Sequence, residues 1–357
     1  MDTSLPKILL VPTKHFLRDR IFGGFEGIPR NFEIAEPFRA LREKLRGRGF
    51  ELKTIDMVKD AREAEGVVFF EMPNNKNVHY KFCIENKMQD RMFLIVNEPH
   101  AVHLPNHNPM LHGNFKRVLT WNDDLVDSKK YFKFDYMIPI RAGQKIRLKR
   151  IPFKEKKLLC LISSNKFSSY KKELYSERVR AIRFMEKHHP RDFDLYGVGW
   201  DLPVIHSGLA QDLMINAAIQ KFWPRLPGFL RLRQYPSYAG TVDKKSEVFP
   251  KYKFTVCYEN ELGGHGYITE KILEALLYGC VPVYLGDFGI EKRIPKDCFV
   301  DKREYPSYEK LYEQISGMGE KEHSQYLNSI ERFLNSKAVY PFTIDAFLKN
   351  FETLVFG

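Results

Sequence analysis

Lys271 falls in the first turn of a segment that reads as a helix, where a cation faces the positive end of the helix dipole and is disfavoured unless an anion binds there. Ahead of it, Gly263, Gly264 and Gly266 permit left-handed backbone and a close approach to a ligand, and Thr269 is a good N-cap. Backbone N–H groups, the dipole and an ammonium would then converge on one point, which suits a phosphate. Glu270 cannot hold the same anion and would instead accept hydrogen bonds from hydroxyls such as those of a ribose. Tyr267 is placed to cover a ring or to hydrogen-bond a sugar. The same residues also read as a surface Glu–Lys pair on an ordinary amphipathic helix, and a glycine-bearing turn alone does not choose between the two.

The flanking residues supply the scaffold. Residues 252–258 mix aromatic and β-branched side chains as a buried strand does, and 281–285 repeat that character. Between them a helix would bury Ile272, Leu273, Leu276 and Leu277, and the glycine-rich turn would lie beyond the carboxyl end of the first strand, where open α/β sheets bind ligands. Within this stretch Tyr252-Lys253-Phe254, Tyr258-Glu259-Asn260, Tyr267-Ile268-Thr269-Glu270-Lys271 and Val281-Pro282-Val283-Tyr284-Leu285-Gly286 together resemble the signature of the α-1,3/α-1,4-fucosyltransferase family (glycosyltransferase family 10), bacterial type. The resemblance implies an α/β fold of two Rossmann-like domains facing a cleft (GT-B type) and inverting transfer of L-fucose from GDP-fucose. It also implies donor contacts from Asn260, Tyr267, Glu270 and Lys271. Glu259 matches the motif too and is read as structural.

A second acid stands elsewhere. Glu98 follows the strand-like run 91–96, and Pro99 ends the ladder and biases Glu98 away from a helical backbone, which aims its carboxylate out of the sheet. Acids at strand ends are mostly solvated or capping groups. The resembled family, however, places its catalytic base at the end of the corresponding strand, which makes Glu98 the candidate base. The run Val118-Leu119-Thr120-Trp121-Asn122-Asp123-Asp124-Leu125, followed by Tyr131-Phe132, is also similar to bacterial members. Arg178 falls where the family has an arginine that neutralises the donor pyrophosphate, a role suited to a planar fork that takes two phosphate oxygens; Arg180 is the alternative if the register slips.

No metal is assigned. His100, His103, His107 and His112 lie in a proline-punctuated loop whose spacing fits no common zinc pattern, and they are read as neutral groups lining an acceptor cleft. Asn122-Asp123-Asp124 superficially resembles the acidic metal motif of the other major glycosyltransferase fold, but the phosphate site expected here lies far downstream. With Arg178, Lys271 and a helix N-terminus on the diphosphate, no cofactor is required beyond GDP-fucose as donor substrate, and a divalent cation would be at most a stimulant.

The elements that must position these groups alternate. Strands are expected at 7–11, 52–55, 66–70 and 91–96, with helices at 36–49 and 80–88, a pattern that argues for a parallel sheet with flanking helices. A basic stretch, 141–157, reads as a linker between an acceptor domain, 1–140, and a donor domain, 158–340. The second half restarts with a strand at 158–162, a basic helix from Tyr170 and a strand at 194–200. Residues 220–235 mix aromatics, arginines and prolines and read as an insertion packed on the domain rather than a membrane contact. Helices follow at 308–317, 323–336 and 344–356, with 341–357 expected to pack back on the first domain.

With 357 residues the chain exceeds what one core usually supports, and its 43% hydrophobic and 29% charged residues are those of a soluble globular protein. A formal net charge of +12 points to nucleic acid, an anionic small molecule or an anionic membrane face. No nucleic-acid-binding signature accompanies it, so no nucleic acid is expected as a partner. Peripheral contact with an anionic membrane is kept, because a glycolipid acceptor would reside there. Five scattered cysteines, an odd number, indicate a reducing compartment. The first residues make neither a signal peptide nor an anchor, so a cytoplasmic enzyme, peripheral at most to the inner membrane face, is the expectation.

The reading is therefore fucosyl transfer from GDP-fucose to a hydroxyl of an acceptor oligosaccharide or glycolipid, α-1,3 or α-1,4 to N-acetylglucosamine. Two alternatives stand beside it: a GT-B glycosyltransferase using another sugar nucleotide, and a non-enzymatic protein that binds an anionic ligand.

Overall fold

A computed structural model describes residues 5–23, 32–201, 222 and 234–357. The chain divides into two units: residues 1–144, 265–267 and 340–357 form the first, and residues 145–264 and 268–339 the second.

The first unit is built on six parallel strands in the order β2-β1-β3-β4-β5-β6. These are β1 (Lys7–Val11), β2 (Glu51–Thr54), β3 (Ala64–Phe70), β4 (Met92–Val96), β5 (Arg117–Thr120) and β6 (Tyr131–Lys133). The central strands are apolar throughout because both faces of a parallel sheet are covered. Ile8 and Leu10 point to one face, against α1 (Phe32–Gly47) and the chain's terminal helix, Ile344–Phe356; Leu9 and Val11 point to the other, against α2 (Val78–Glu85). Register follows from this alternation, with Leu9 beside Val67 and Leu94 beside Val118. After β2 the chain crosses to the opposite side of β1, so the topological switch point lies between β1 and β3.

The second unit holds five parallel strands in the order β11-β10-β9-β7-β8. They are β7 (Lys157–Ile162), β8 (Phe193–Tyr196), β9 (Tyr252–Tyr258), β10 (Val281–Leu285) and β11 (Val300–Asp301). Their helices include α3 (Tyr175–His188), α4 (Glu270–Leu277), α5 (Tyr308–Gly317) and α6 (Glu320–Leu334). Here the switch point falls between β7 and β9, and the crevice it makes opens at the carboxyl end of β9.

Three expectations change. The helix expected from Tyr170 begins at Tyr175, because the Glu173 carboxylate accepts the first free amides, Ser176 N–H among them at 3.0 Å. The basic stretch 141–157 is not a free linker. From Lys145 onward it counts with the second unit, where the Ile146 backbone exchanges hydrogen bonds with the Asn335 side chain at 2.9 and 2.8 Å. The helix expected at 36–49 spans Phe32–Gly47, with Pro37 inside it. Residues 220–235, read as an insertion, lie for the most part outside the described residues.

All five cysteines are buried free thiols. No described helix is long and apolar enough to cross a membrane.

Candidate functional site

At the carboxyl end of β9 the chain turns through Glu259 and Asn260, and the Glu259 amide continues the ladder by donating to the Leu285 carbonyl at 2.8 Å. Gly263 then takes a left-handed backbone (φ +81°), and a Cβ there would stand 2.6 Å from the Phe288 ring. At Gly286, closing β10, a Cβ would meet the Glu259 side chain at 2.5 Å. Only glycine lets these two strand ends approach this closely.

Glu259 is fully buried, and its carboxylate accepts Thr269 N–H at 2.9 Å and the Thr269 hydroxyl at 2.7 Å. Thr269 is the N-cap of α4 and accepts the Lys271 amide. The strand end is thereby tied to the helix N-terminus. Burial pushes the Glu259 carboxyl up; the Lys271 ammonium, 3.5 Å away, opposes that, and the Glu270 charge adds to it.

Lys271 Nζ lies 3.1 Å from Thr269 Oγ1 and 3.3 Å from Glu270 Oε1. Burial works against its charge, but the carboxylates of Glu270 and Glu259 more than offset that and raise its pKa above the ordinary value. Glu270 shows the converse. Burial would raise it, yet the Lys271 and Lys245 ammoniums and its own helix-end amide hold it down to about 2. Lys245, from the helical turn Lys245–Val248, pairs with Glu274 on α4 and stays protonated.

Arg178, from α3, is 4% exposed. Its Nε and Nη2 donate to the Tyr258 carbonyl at 3.2 and 2.6 Å, and Nη2 also reaches the Glu259 carbonyl at 2.7 Å and Asn260 Oδ1 at 3.0 Å. Arg178 and Asn260 thus meet each other at the end of β9, with the guanidinium fork turned to the strand-end acceptors. Arg180 is exposed and paired with Glu177. The second unit therefore brings Arg178, Asn260, Glu270 and Lys271 together with Lys245, Glu259 and Glu274. Three cations face three carboxylates around a capped helix N-terminus, an arrangement able to hold a polyanion and hydroxyl groups side by side.

Tyr267 stands two residues before the Thr269 cap. It counts with the first unit, is 1% exposed and packs on Trp121 and Tyr136 at ring separations of 4.9 and 5.9 Å. A buried aromatic in this setting is first a packing residue.

Glu98 follows β4 and is half-buried. Its carbonyl accepts from Asn106 Nδ2 at 3.0 Å and contacts His107 Nε2 at 3.1 Å. Its amide is held by the carboxylate of Glu71, at the end of β3. Of the loop histidines, His100 and His107 stack on each other at 3.6 Å, while His112 is buried between Tyr131 Oη and the Asn106 carbonyl, each 3.1 Å away, and lines no cleft. Asp123 and Asp124 are paired with Lys133 and His265, each at 2.7 Å. Among the described residues no three His, Cys, Asp or Glu side chains are grouped to hold a metal.

Glu71, Lys245 and Glu274 escape the sequence reading. Glu71 did leave a signal: Phe70-Glu71-Met72-Pro73 repeats, one strand earlier, the apolar run, acid and proline of Val96-Asn97-Glu98-Pro99. Lys245 left none, because its neighbour on α4 is distant in sequence.

Residues 232–336 match the family described as Glycosyltransferase family 10 (fucosyltransferase) C-term. An α-(1,3)-fucosyltransferase FucT of Helicobacter pylori is 32% identical over 74 residues, a match that covers 21% of this chain and 15% of that relative. A solved α1,3-fucosyltransferase with GDP superposes over 100% of this chain and 92% of its own with a TM-score of 0.55 at 13% identity. A glycosyltransferase of Rickettsia africae covers 99% of this chain and 100% of its own with a TM-score of 0.52 at 11% identity. The described strands and helices of this chain thus follow the GT-B fold of such glycosyltransferases, and residues 232–336, which apart from 265–267 count with the second unit, carry the sequence pattern of the family 10 fucosyltransferase C-terminal domain.

Proposed function

We propose that the chain is an inverting glycosyltransferase that moves L-fucose from GDP-fucose to a hydroxyl of an acceptor glycan, with N-acetylglucosamine receiving an α-1,3 or α-1,4 linkage. The observation that carries this reading is the match of residues 232–336 to the fucosyltransferase C-terminal domain, which falls on the cluster at the end of β9. The donor diphosphate would lie at the N-terminus of α4 against Lys271, where an ammonium and helix-end amides stabilise the charge that grows on departing GDP. Glu270 and Asn260 would take sugar hydroxyls. Arg178 would add its buried charge to the diphosphate side while its fork holds the strand end.

Glu98 would act as base. As the acceptor oxygen bonds to the anomeric carbon from the face opposite GDP, the bond from that carbon to the diphosphate oxygen breaks and the hydroxyl proton passes to Glu98. The charge on the leaving group is met by protein cations, so the reading requires no metal ion.

The test is incubation with GDP-fucose and a panel of N-acetyllactosamine-type and other acceptors, followed by mass analysis of the products. Addition of one deoxyhexose with release of GDP is expected. If UDP or ADP rather than GDP stabilises the protein in a thermal-shift comparison, and no deoxyhexose product forms, the reading is overturned in favour of another sugar nucleotide.

A further inference from the structure

Glu71 closes β3 as Glu98 closes β4, and the two strands are neighbours at the edge of the first unit's switch point. The Glu71 backbone sits in the left-handed region (φ +68°), which residues other than glycine rarely occupy. That conformation carries its side chain across the end of β4. There the carboxylate accepts the Asn97 amide at 3.2 Å and the Glu98 amide at 3.1 and 3.2 Å through its two oxygens. It also accepts the side-chain amide of Asn106.

Asn106 is itself locked, 1% exposed, with Oδ1 accepting Met72 N–H at 2.7 Å. Glu98 is therefore held by its N–H through Glu71 and by its C=O through Asn106 and His107. A neutral acceptor would have met the same amides at less cost, since burial and the nearby Glu98 charge together push Glu71 up to about 7 against the N–H groups that lower it.

We propose that Glu71 is a positioning residue for Glu98: it fixes the strand end from which the Glu98 side chain departs and sets a second carboxyl group beside that base. This rests on the reading of Glu98 as the base. With Glu71 ionised, the repulsion between the two acids is relieved when Glu98 takes the acceptor proton, so the pair favours the transfer that the reaction needs. Among the described residues, the titratable groups near these strand ends include His100, stacked on His107 at 3.6 Å, His103, whose Nε2 meets the Met72 carbonyl at 2.8 Å, and His107, whose pKa burial depresses to about 3 and which stays neutral.

Glu71→Gln keeps an acceptor for the amides and removes the charge. We expect kcat to fall by roughly 10- to 100-fold with KM for GDP-fucose held within about twofold, and the acid limb of the kcat profile to move to lower pH. Loss of the rate with an unmoved limb would reduce Glu71 to a structural role. Glu98→Gln separates the two ideas. If it keeps normal turnover, the base assignment falls and takes this inference with it; if it is inactive while Glu71→Gln keeps both its rate and its limb, only the inference falls. A measurement independent of turnover follows the glutamate carboxyl ¹³C signals of the labelled protein. A carboxyl titrating near 7 should vanish in Glu71→Gln and titrate lower in Glu98→Gln; the same titration in Glu98→Gln as in the parent protein would overturn the coupling.

Discussion

Lys271 and Arg178 carry the same charge at one site, but their partners assign them different losses. Lys271 Nζ is held by side chains only, Thr269 and Glu270 within hydrogen-bond distance and Glu259 slightly further, all able to yield to a diphosphate. Lys271→Ala should weaken GDP binding by roughly 10- to 100-fold, the worth of a charge-assisted contact, as measured by titration calorimetry. Unchanged GDP affinity would remove Lys271 from the donor site. Arg178 instead donates to two backbone carbonyls and an amide oxygen at the end of β9. Arg178→Ala should cost about 3–5 kcal/mol of stability, since it strands buried acceptors and unbalances buried carboxylates. Denaturant unfolding checks this, and a loss below about 1 kcal/mol would show that the guanidinium does not hold the strand end. The chemistry-bearing types were legible from sequence at this scale; the division of labour was not. Spacing can bring Arg178 to the site, yet it cannot say that three acceptors of residues 258–260 are waiting for its fork.

At the scale of elements, the strands could be read, and so could the helices at Tyr308–Gly317 and Ile344–Phe356, whereas the start of α3 could not. Parallel strands covered on both faces are short apolar runs whatever their neighbours, as Ile8 to Val11 and Met92 to Val96 are. A helix start depends on which side chain accepts its first amides, and for α3 that is Glu173, upstream of the helix itself. Helix α6 supplies a prediction of its own. His323 is 2% exposed, packed between the rings of Phe153 and Phe254, with Nε2 3.2 Å from the Lys253 carbonyl. Burial, with Lys156, Lys253 and Arg150 nearby, depresses its pKa to about 4, against an ordinary 6.5. Because the unfolded chain binds the proton first, the neutral ring's stability is fully present above pH 6.5 and is lost as pH falls toward 4. The loss should reach on the order of 3 kcal/mol. His323→Gln should flatten that part of the stability profile measured by urea unfolding, and an unchanged slope would show that the imidazole charges freely in the folded state.

At the scale of the whole molecule, the chain does not finish where it started its second unit. After α6 it returns to the first unit, and the terminal helix covers one face of the six-stranded sheet with Phe347, Phe351 and Leu354 at 2% exposure or less. Phe347 meets Phe38 of α1 edge to face at 5.5 Å, Glu352 pairs with Lys44 and Arg48 at 2.7 and 3.0 Å, and Arg117 Nη1 donates to the Leu354 carbonyl at 3.1 Å. On either side of the helix start, Ile138 donates to the Phe342 carbonyl at 2.9 Å and Ile344 to the Ile140 carbonyl at 3.0 Å. The ion pairs are surface contacts worth little; the buried aromatics are what the sheet face needs. A fragment ending at residue 144 would therefore expose an apolar face and should melt without a cooperative transition. The same fragment joined to residues 340–357 through a short Gly/Ser linker should regain a sigmoidal melt, since the helix that completes the core is restored while the second unit is absent. Phe351→Ala in that joined protein should then cost about 3–5 kcal/mol, as a fully buried phenylalanine does. Cooperative unfolding of the bare fragment, equal in midpoint to the joined one, would show that the terminal helix only rests on a sheet already complete without it.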